Sequence, residues 1–418
     1  MRRAALLVLI LLMALSVSCA SILETDNLTI VPHAELDPPE LDDEVPEAAN
    51  YSELRAAVYD LLNRGQIAGT INVFEYDGDL DAELDAVRED ILYRDCVGSY
   101  ALSDILSTVT PIVSYYEIRV DMTYRRTREQ IDGIVTASTQ RYLRAELLEM
   151  MGDYRADAAI RTSLPGITER EILGYLSEIY YENPLLIVML PITTASVYPP
   201  GPTDSDEILI ELNFGYSQPN SVLRRFSGWL QSAVGDIAEA ASGENDGEIL
   251  LSLCRALAEL AEYDAAAASL SEYPTQSFSA TAYGALLNGS AIGEGYAMAY
   301  KALCDELSIP CRVVLGSRDG LPYAWNIVLY DGEYYHVDPA LCDELGMETG
   351  FLKNDADMEE HYLWERGAYP VCDGEATYYD ITGERPPVEP DPEPEPEPEP
   401  EPDDGGDDTD DTIDTEEN

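Results

Sequence analysis

The sequence predicts an α+β fold: two small α/β repeat units, then a C-terminal domain whose helices precede its strands. Three observations carry this. Residues 51–234 hold two similar units about 90 residues apart. Residues 235–385 show apolar positions at helical spacing, then three short strand-like runs. Both ends of the chain are too acidic and too rich in proline to join a core.

Residues 1–19 read as an export signal. Arg2 and Arg3 precede an apolar run at 4–17, roughly 14 residues and too short to span a bilayer. Cys19 closes the run, and the segment resembles a bacterial lipoprotein signal. That resemblance implies lipidation of Cys19 and an outward-facing protein held to the cell membrane by its N-terminal lipid. Cleavage after Ala20, giving a secreted chain, is the alternative. Residues 20–50 follow as an acidic tether: 21–50 carry nine acids, four prolines and no Lys or Arg.

Repeat unit 1 covers 51–138 and repeat unit 2 covers 139–234. Each opens with a helix, marked by Leu54 and by Leu143, and Asn50 with Glu53 predicts a capping box for the first. Each has a second helix, at 80–92 and 169–181. Each then has an alternating strand, Ile118-Arg-Val-Asp-Met-Thr-Tyr124 and Ile208-Leu-Ile-Glu-Leu-Asn-Phe214. Neither unit carries a catalytic pattern, so both read as binding or packing modules.

The C-terminal domain, 235–385, opens with a helical stretch over 236–260. A second helix puts Ile292, Tyr296, Tyr300, Leu303 and Leu307 on one face, and Pro310 stops it. Strands are expected at 311–316, 324–330 and 333–338, with Asp331-Gly332 as the hairpin turn between the last two. Residues 386–418 form a tail rich in Pro, Glu and Asp. It has 16 acids and no basic residue, and reads as a disordered, solvated spacer with at most loose affinity for Ca²⁺.

The whole chain carries 81 acidic and 24 basic side chains, a net charge of −57. Such a surface repels phosphate backbones, which excludes nucleic acid as a partner. Lys301 and Lys353 are the only lysines. A coding bias or a high-salt habitat would each explain that.

Three further segments carry a specific resemblance: Gly293-Glu-Gly-Tyr-Ala297 on a helix, Tyr323-Ala-Trp-Asn-Ile-Val328 opening a strand, and Tyr334-Tyr-His-Val-Asp338 closing the next. Their order is similar to that of the transglutaminase-like superfamily, which has a papain-like fold, and the likeness spans about 245–375. It implies a helix-borne Cys nucleophile, a strand His as its base and an Asp that orients the His. A thiolate needs such neighbours to ionise near neutral pH. Mapped residue by residue, the Cys position is Gly293, the His position is Tyr323, and Asp338 alone remains. Glycine cannot attack, and a tyrosine with pKa near 10 is a poor base. The triad positions are therefore vestigial, and no catalytic residue is expected.

Ser290, upstream of the lost Cys, reads as a helix cap rather than a nucleophile. His336 is two residues from Asp338 and faces the same side, either as a replacement base or as a family residue without chemistry. With Trp325 and Asn326 it is a candidate groove residue. Glu294 reads as structural. Six cysteines lie beyond Cys19, and an exported chain permits disulfides. Cys304–Cys311 and Cys342–Cys372 are the first pairs to test. No zinc spacing is present, so neither metal nor cofactor is expected.

The resulting expectation is an exported, lipid-anchored pseudoenzyme that binds a peptide, a protein or a cell-wall ligand at the cell envelope. One alternative is an acyltransferase or peptidase with an altered site built from Tyr323, His336 and Asp338. Another makes the repeats the functional part.

Overall fold

The computed structural model describes residues 45–76, 78–201, 206–269 and 276–384. The export signal with Cys19, residues 20–44 of the tether and the tail at 386–418 lie outside the described residues. The described chain divides into two compact units, 45–132 with 198–201, and 133–197 with 206–384.

The first unit runs β1 (Glu47–Ala48), α1 (Tyr51–Asn63), β2 (Ala68–Val73), α2 (Leu80–Tyr93), β3 (Leu102–Ile112) and β4 (Tyr115–Tyr124). The sheet order is β1-β2-β4-β3, with β1 parallel to β2 and the other pairings antiparallel. The last residues of the expected tether are thus an edge strand, because Ala48 is a buried apolar residue. Asn50 caps α1 by accepting from the Glu53 N–H. The Glu53 side chain returns to the Ala49 N–H, one residue before the place a capping box requires. Leu54, Val58, Leu61 and Leu62 form the buried stripe of α1. Each such side chain contributes roughly 1.5–3 kcal/mol by leaving water.

The second unit repeats this topology with β5 (Val135–Ala137), α3 (Gln140–Gly152), β6 (Asp157–Thr162), α4 (Glu169–Glu182), β7 (Ile192–Tyr198) and β8 (Ile208–Gly215). Its sheet order is β5-β6-β8-β7, with β5 parallel to β6. The strand match differs from the sequence expectation by two residues. Ile71 faces Ile118 in the first sheet and Ile160 faces Ile210 in the second, so Ile118 corresponds to Ile210, not Ile208. A two-residue slip keeps the same side chains inward, so alternation cannot detect it.

The chain continues through α5 (Asn220–Ala240), α6 (Asp246–Leu260), β9 (Glu262–Tyr263), β10 (Ser290–Ala291), α7 (Gly293–Glu306), β11 (Cys311–Arg318), β12 (Leu321–Tyr330), β13 (Glu333–Val337), α8 (Pro339–Leu345) and β14 (Tyr362–Trp364). The helical stretch expected over 236–260 is two helices. Asn245 caps the second through the Glu248 N–H, and the division expected at 234/235 falls inside α5. Helix α7 ends at Glu306, and Ser308, with φ 59°, turns the chain before Pro310.

The last sheet is antiparallel, in the order β13-β12-β11-β14. Asp331 and Gly332 both have positive φ, as a type I′ turn requires, and Asp319 and Gly320 repeat the device between β11 and β12. One face of this sheet lies against α7. Asn326 donates to the Ala297 carbonyl at 3.0 Å, and Ala324 and Val328 join a core that runs without a break to Leu143, Ile210 and Leu230 of the second repeat. The other face carries Tyr323, Trp325, Ile327 and Tyr362.

Candidate functional site

Gly293, Tyr323 and Asp338, the positions aligned with the triad, meet in space. Gly293 is the first residue of α7, and its N-cap residue Ile292 offers no side-chain bond. A Cβ placed on Gly293 would lie 2.5 Å from Tyr323 Cε2 and 2.7 Å from Tyr323 Cζ. The tyrosine ring therefore fills the space that a nucleophilic side chain would need. Tyr323 is buried, and its hydroxyl donates to Asp338 Oδ1 at 3.1 Å. Burial and then the Asp338 charge push the phenol pKa well above its usual value. The group is a proton donor here and cannot serve as a base near neutral pH.

Asp338 is fully buried and receives two further donors. Tyr362 Oη donates to Oδ2 at 2.6 Å, and the Leu341 N–H donates to Oδ1 at 3.0 Å. The last bond makes Asp338 the N-cap of α8, whose Pro339 occupies the first turn. Burial raises the carboxyl pKa, while Tyr362, Leu341, Arg318 and Tyr323 oppose the rise. The residue that would orient a histidine in an intact triad is here a helix cap and a double tyrosine acceptor. Those bonds give it a structural role of its own.

His336 is on the expected face but has another partner. Its Nδ1 accepts from Trp325 Nε1 at 2.9 Å, and its Nε2 pairs with Asp355 Oδ1 at 2.9 Å. An accepting Nδ1 places the proton of the neutral ring on Nε2, which then donates to Asp355. Burial lowers the His336 pKa, and Asp355 opposes the shift. Donor atoms of His336, Asp355 and Cys372 lie within 4.8 Å of one another. A cation at Nε2 would have to displace the proton held there, and the Arg366 guanidinium already lies 3.8 Å from Asp355 Oδ2. The trio fits a hydrogen-bond chain better than a metal donor set.

The remaining predicted residues serve the frame. Trp325 is buried between Tyr362 and Trp364. Glu294, beside Gly293, accepts from Tyr181 of α4 at 2.7 Å. Ser290 is not a helix cap: it lies in β10, paired with Glu262 of β9.

Cys254, Cys304, Cys311, Cys342 and Cys372 are buried thiols, so neither Cys304–Cys311 nor Cys342–Cys372 is the disulfide that was expected. Cys304 and Cys311 are neighbours, as their spacing suggests, but as thiols. Cys342 and Cys372 lie in different core clusters. The neighbour of Cys342 is Cys254, and Cys372 sits by Asp355. Burial in apolar surroundings raises the Cys304 and Cys342 pKa values well above normal, which keeps both thiols unreactive.

Beside Gly293 and Tyr323 a cavity of about 310 Å³ remains, bounded also by Tyr263, Ala268, Arg318, Leu321 and Glu344. Arg318 stacks over the Tyr323 ring at 5.5 Å and the Tyr362 ring at 5.9 Å. Sequence reasoning missed Arg318, Tyr263 and Asp355. The first two carry no motif, and Asp355 reaches His336 only through the fold.

A family model described as the transglutaminase-like superfamily matches residues 236–339. No curated protein sequence matches the chain. Among solved structures, a TGase is 12% identical, with TM-score 0.25, covering 53% of this chain and 60% of its own. A putative cysteine protease from Cytophaga hutchinsonii is 13% identical, with TM-score 0.22, covering 38% of this chain and 68% of its own. The periplasmic domain of TgpA from Pseudomonas aeruginosa is 14% identical, with TM-score 0.22, covering 34% of this chain and 59% of its own. The chain thus spans less than two thirds of the first and third of these. The family-model match shows that residues 236–339 of this chain carry a transglutaminase-like superfamily domain.

Proposed function

We propose that the chain is a non-catalytic, exported binding protein, anchored through lipid on Cys19, that holds a peptide or cell-wall fragment at the cell envelope. One observation carries the non-catalytic part: the Tyr323 ring lies where a side chain at position 293 would begin. Nucleophile and base are absent together, and the replacement for one occupies the space of the other. The cavity beside them supports the binding part, since a retained concave site with a few polar groups is sufficient to bind. The apolar run closed by Cys19 supports the anchor.

The test is turnover. The purified chain is expected to leave peptide and cell-wall amide substrates neither cleaved nor cross-linked. Turnover that disappears in Asp338→Ala would overturn the reading. For the anchor, Cys19→Ala is expected to move the protein from the membrane to the soluble fraction, and a variant that stays with the membrane would remove lipid from the proposal.

A further inference from the structure

The cavity beside Gly293 has a charge arrangement that the binding proposal does not use. Arg318 is its only cation among the described residues, and its two carboxylates are Asp319 and Glu344. Arg318 reaches neither at hydrogen-bond length: Nη1 to Glu344 Oε2 is 3.7 Å, and Nε to Asp319 Oδ2 is 3.9 Å. A charge-assisted N–H···O bond is about 2.8 Å. Asp319 is exposed and pairs with His361 at 2.9 Å. The guanidinium carbon lies over the Tyr323 and Tyr362 rings, and among the described residues no carboxylate bonds to its fork.

A ligand carrying one charge fits this poorly. A lone anion on Arg318 meets Glu344, and a lone cation on Glu344 meets Arg318. A ligand with adjacent charges of both signs satisfies each partner. The short Arg318–Glu344 separation suits groups attached to one carbon. Ala265, Ala268, Leu321 and Pro322 give the wall a small apolar side, beside Tyr263, Ser269 and Ile292. The volume stands at the low end for ligand pockets, roughly 300 Å³.

We propose that this cavity binds an unblocked α-amino-acid group with a short aliphatic side chain. The carboxylate is taken by the Arg318 fork and the ammonium by Glu344. The inference rests on the binding function proposed above and narrows its ligand.

Calorimetric titration of the full chain with L- and D-alanine, alaninamide, N-acetylalanine and the doubly blocked peptide N-acetyl-Ala-Ala-amide tests it. At least one alanine enantiomer is expected to bind ten-fold or more tightly than alaninamide and N-acetylalanine. Arg318→Gln and the milder Arg318→Lys should each weaken alanine at least ten-fold, and so should Glu344→Gln, at a half-exposed position where folding is not at risk. Equal binding of alanine and its blocked forms, or alanine binding unaffected by these variants, overturns the inference. Binding of the doubly blocked peptide without alanine also overturns it while leaving the broader binding proposal standing. Binding of none of the five removes both.

Discussion

Tyr181 and Leu92 are the next-to-last residues of α4 and α2, two helices of 14 residues at the same place in one repeated topology. Leu92 is buried within its own unit. Tyr181 instead sends its hydroxyl to Glu294, next to Gly293. The same divergence runs through the core. Leu143, Leu147 and Ile210 of the second repeat belong to one cluster with Tyr296, Tyr300 and Val337. The second copy has thus become part of the frame that fixes the start of α7, well outside the 236–339 match. A duplicated unit can keep its topology while its outer surface is recruited by a new neighbour.

The sharpest break of this comparison uses the equivalent residues Leu54 and Leu143, both fully buried. Truncating either to Ala should cost about 2–5 kcal/mol. All three tryptophans, Trp229, Trp325 and Trp364, lie in the second unit. Leu143→Ala should therefore lower the unfolding midpoint seen by tryptophan fluorescence. Leu54→Ala should leave that midpoint in place and shift part of the circular-dichroism transition. Equal fluorescence shifts would show that the two units unfold as one.

A smaller effect is expected at Gly293. Gly293→Cys forces a Cβ into the Tyr323 ring and should cost about 1–3 kcal/mol as overpacking. Tyr323→Ala should also destabilise, by opening a void. Combined, the two should be less harmful than their sum, because the new side chain enters the space the ring leaves. Strict additivity in denaturant titrations would mean that the ring does not cover position 293.

Smaller again is the Tyr181–Glu294 bond. Tyr181→Phe should cost about 1.5 kcal/mol, as for a hydrogen bond to a charged group. A double-mutant cycle with Glu294→Gln should show coupling, and an uncoupled cycle would return the second repeat to a passive neighbour.

Much of this architecture was legible from local chemistry. Helix α7, the three strands after it and the Asp331-Gly332 turn follow from apolar periodicity and one turn signal. The triad positions were legible because Ala324, Trp325 and Asn326 sit directly beside Tyr323 in the chain. Other features have no local signature. The slip from Ile208 to Ile210 preserves the alternation that would have revealed it. The partner of His336 is 19 residues away, the first residue of a one-turn helix (Asp355–Met358) whose approach to β13 no local pattern encodes. Cys342 meets Cys254 because α8 packs on α6, a tertiary event that cysteine spacing does not report.

The last prediction sets two buried groups on one sheet face against each other. Asp338 has its pKa raised by burial, so between the unfolded and folded values the folded state binds its proton more tightly than the unfolded chain does. Its contribution to stability is fully present below the unfolded value, near 3.9, and is lost as pH rises through the folded value. His336 has its pKa lowered by burial, so the unfolded chain binds the proton first. Its contribution is present above the unfolded value, near 6.5, and is lost as pH falls through the folded value. Asp338→Asn should therefore flatten a stability loss that begins just above pH 4. His336→Gln should flatten a stability gain that ends near pH 6.5. Chemical denaturation from pH 3 to 8 separates the two by sign. If Asp338→Asn instead removed a gain of stability with rising pH, the donors from Tyr323, Tyr362 and Leu341 would outweigh burial, and Asp338 would be a stabilised carboxylate rather than a strained one.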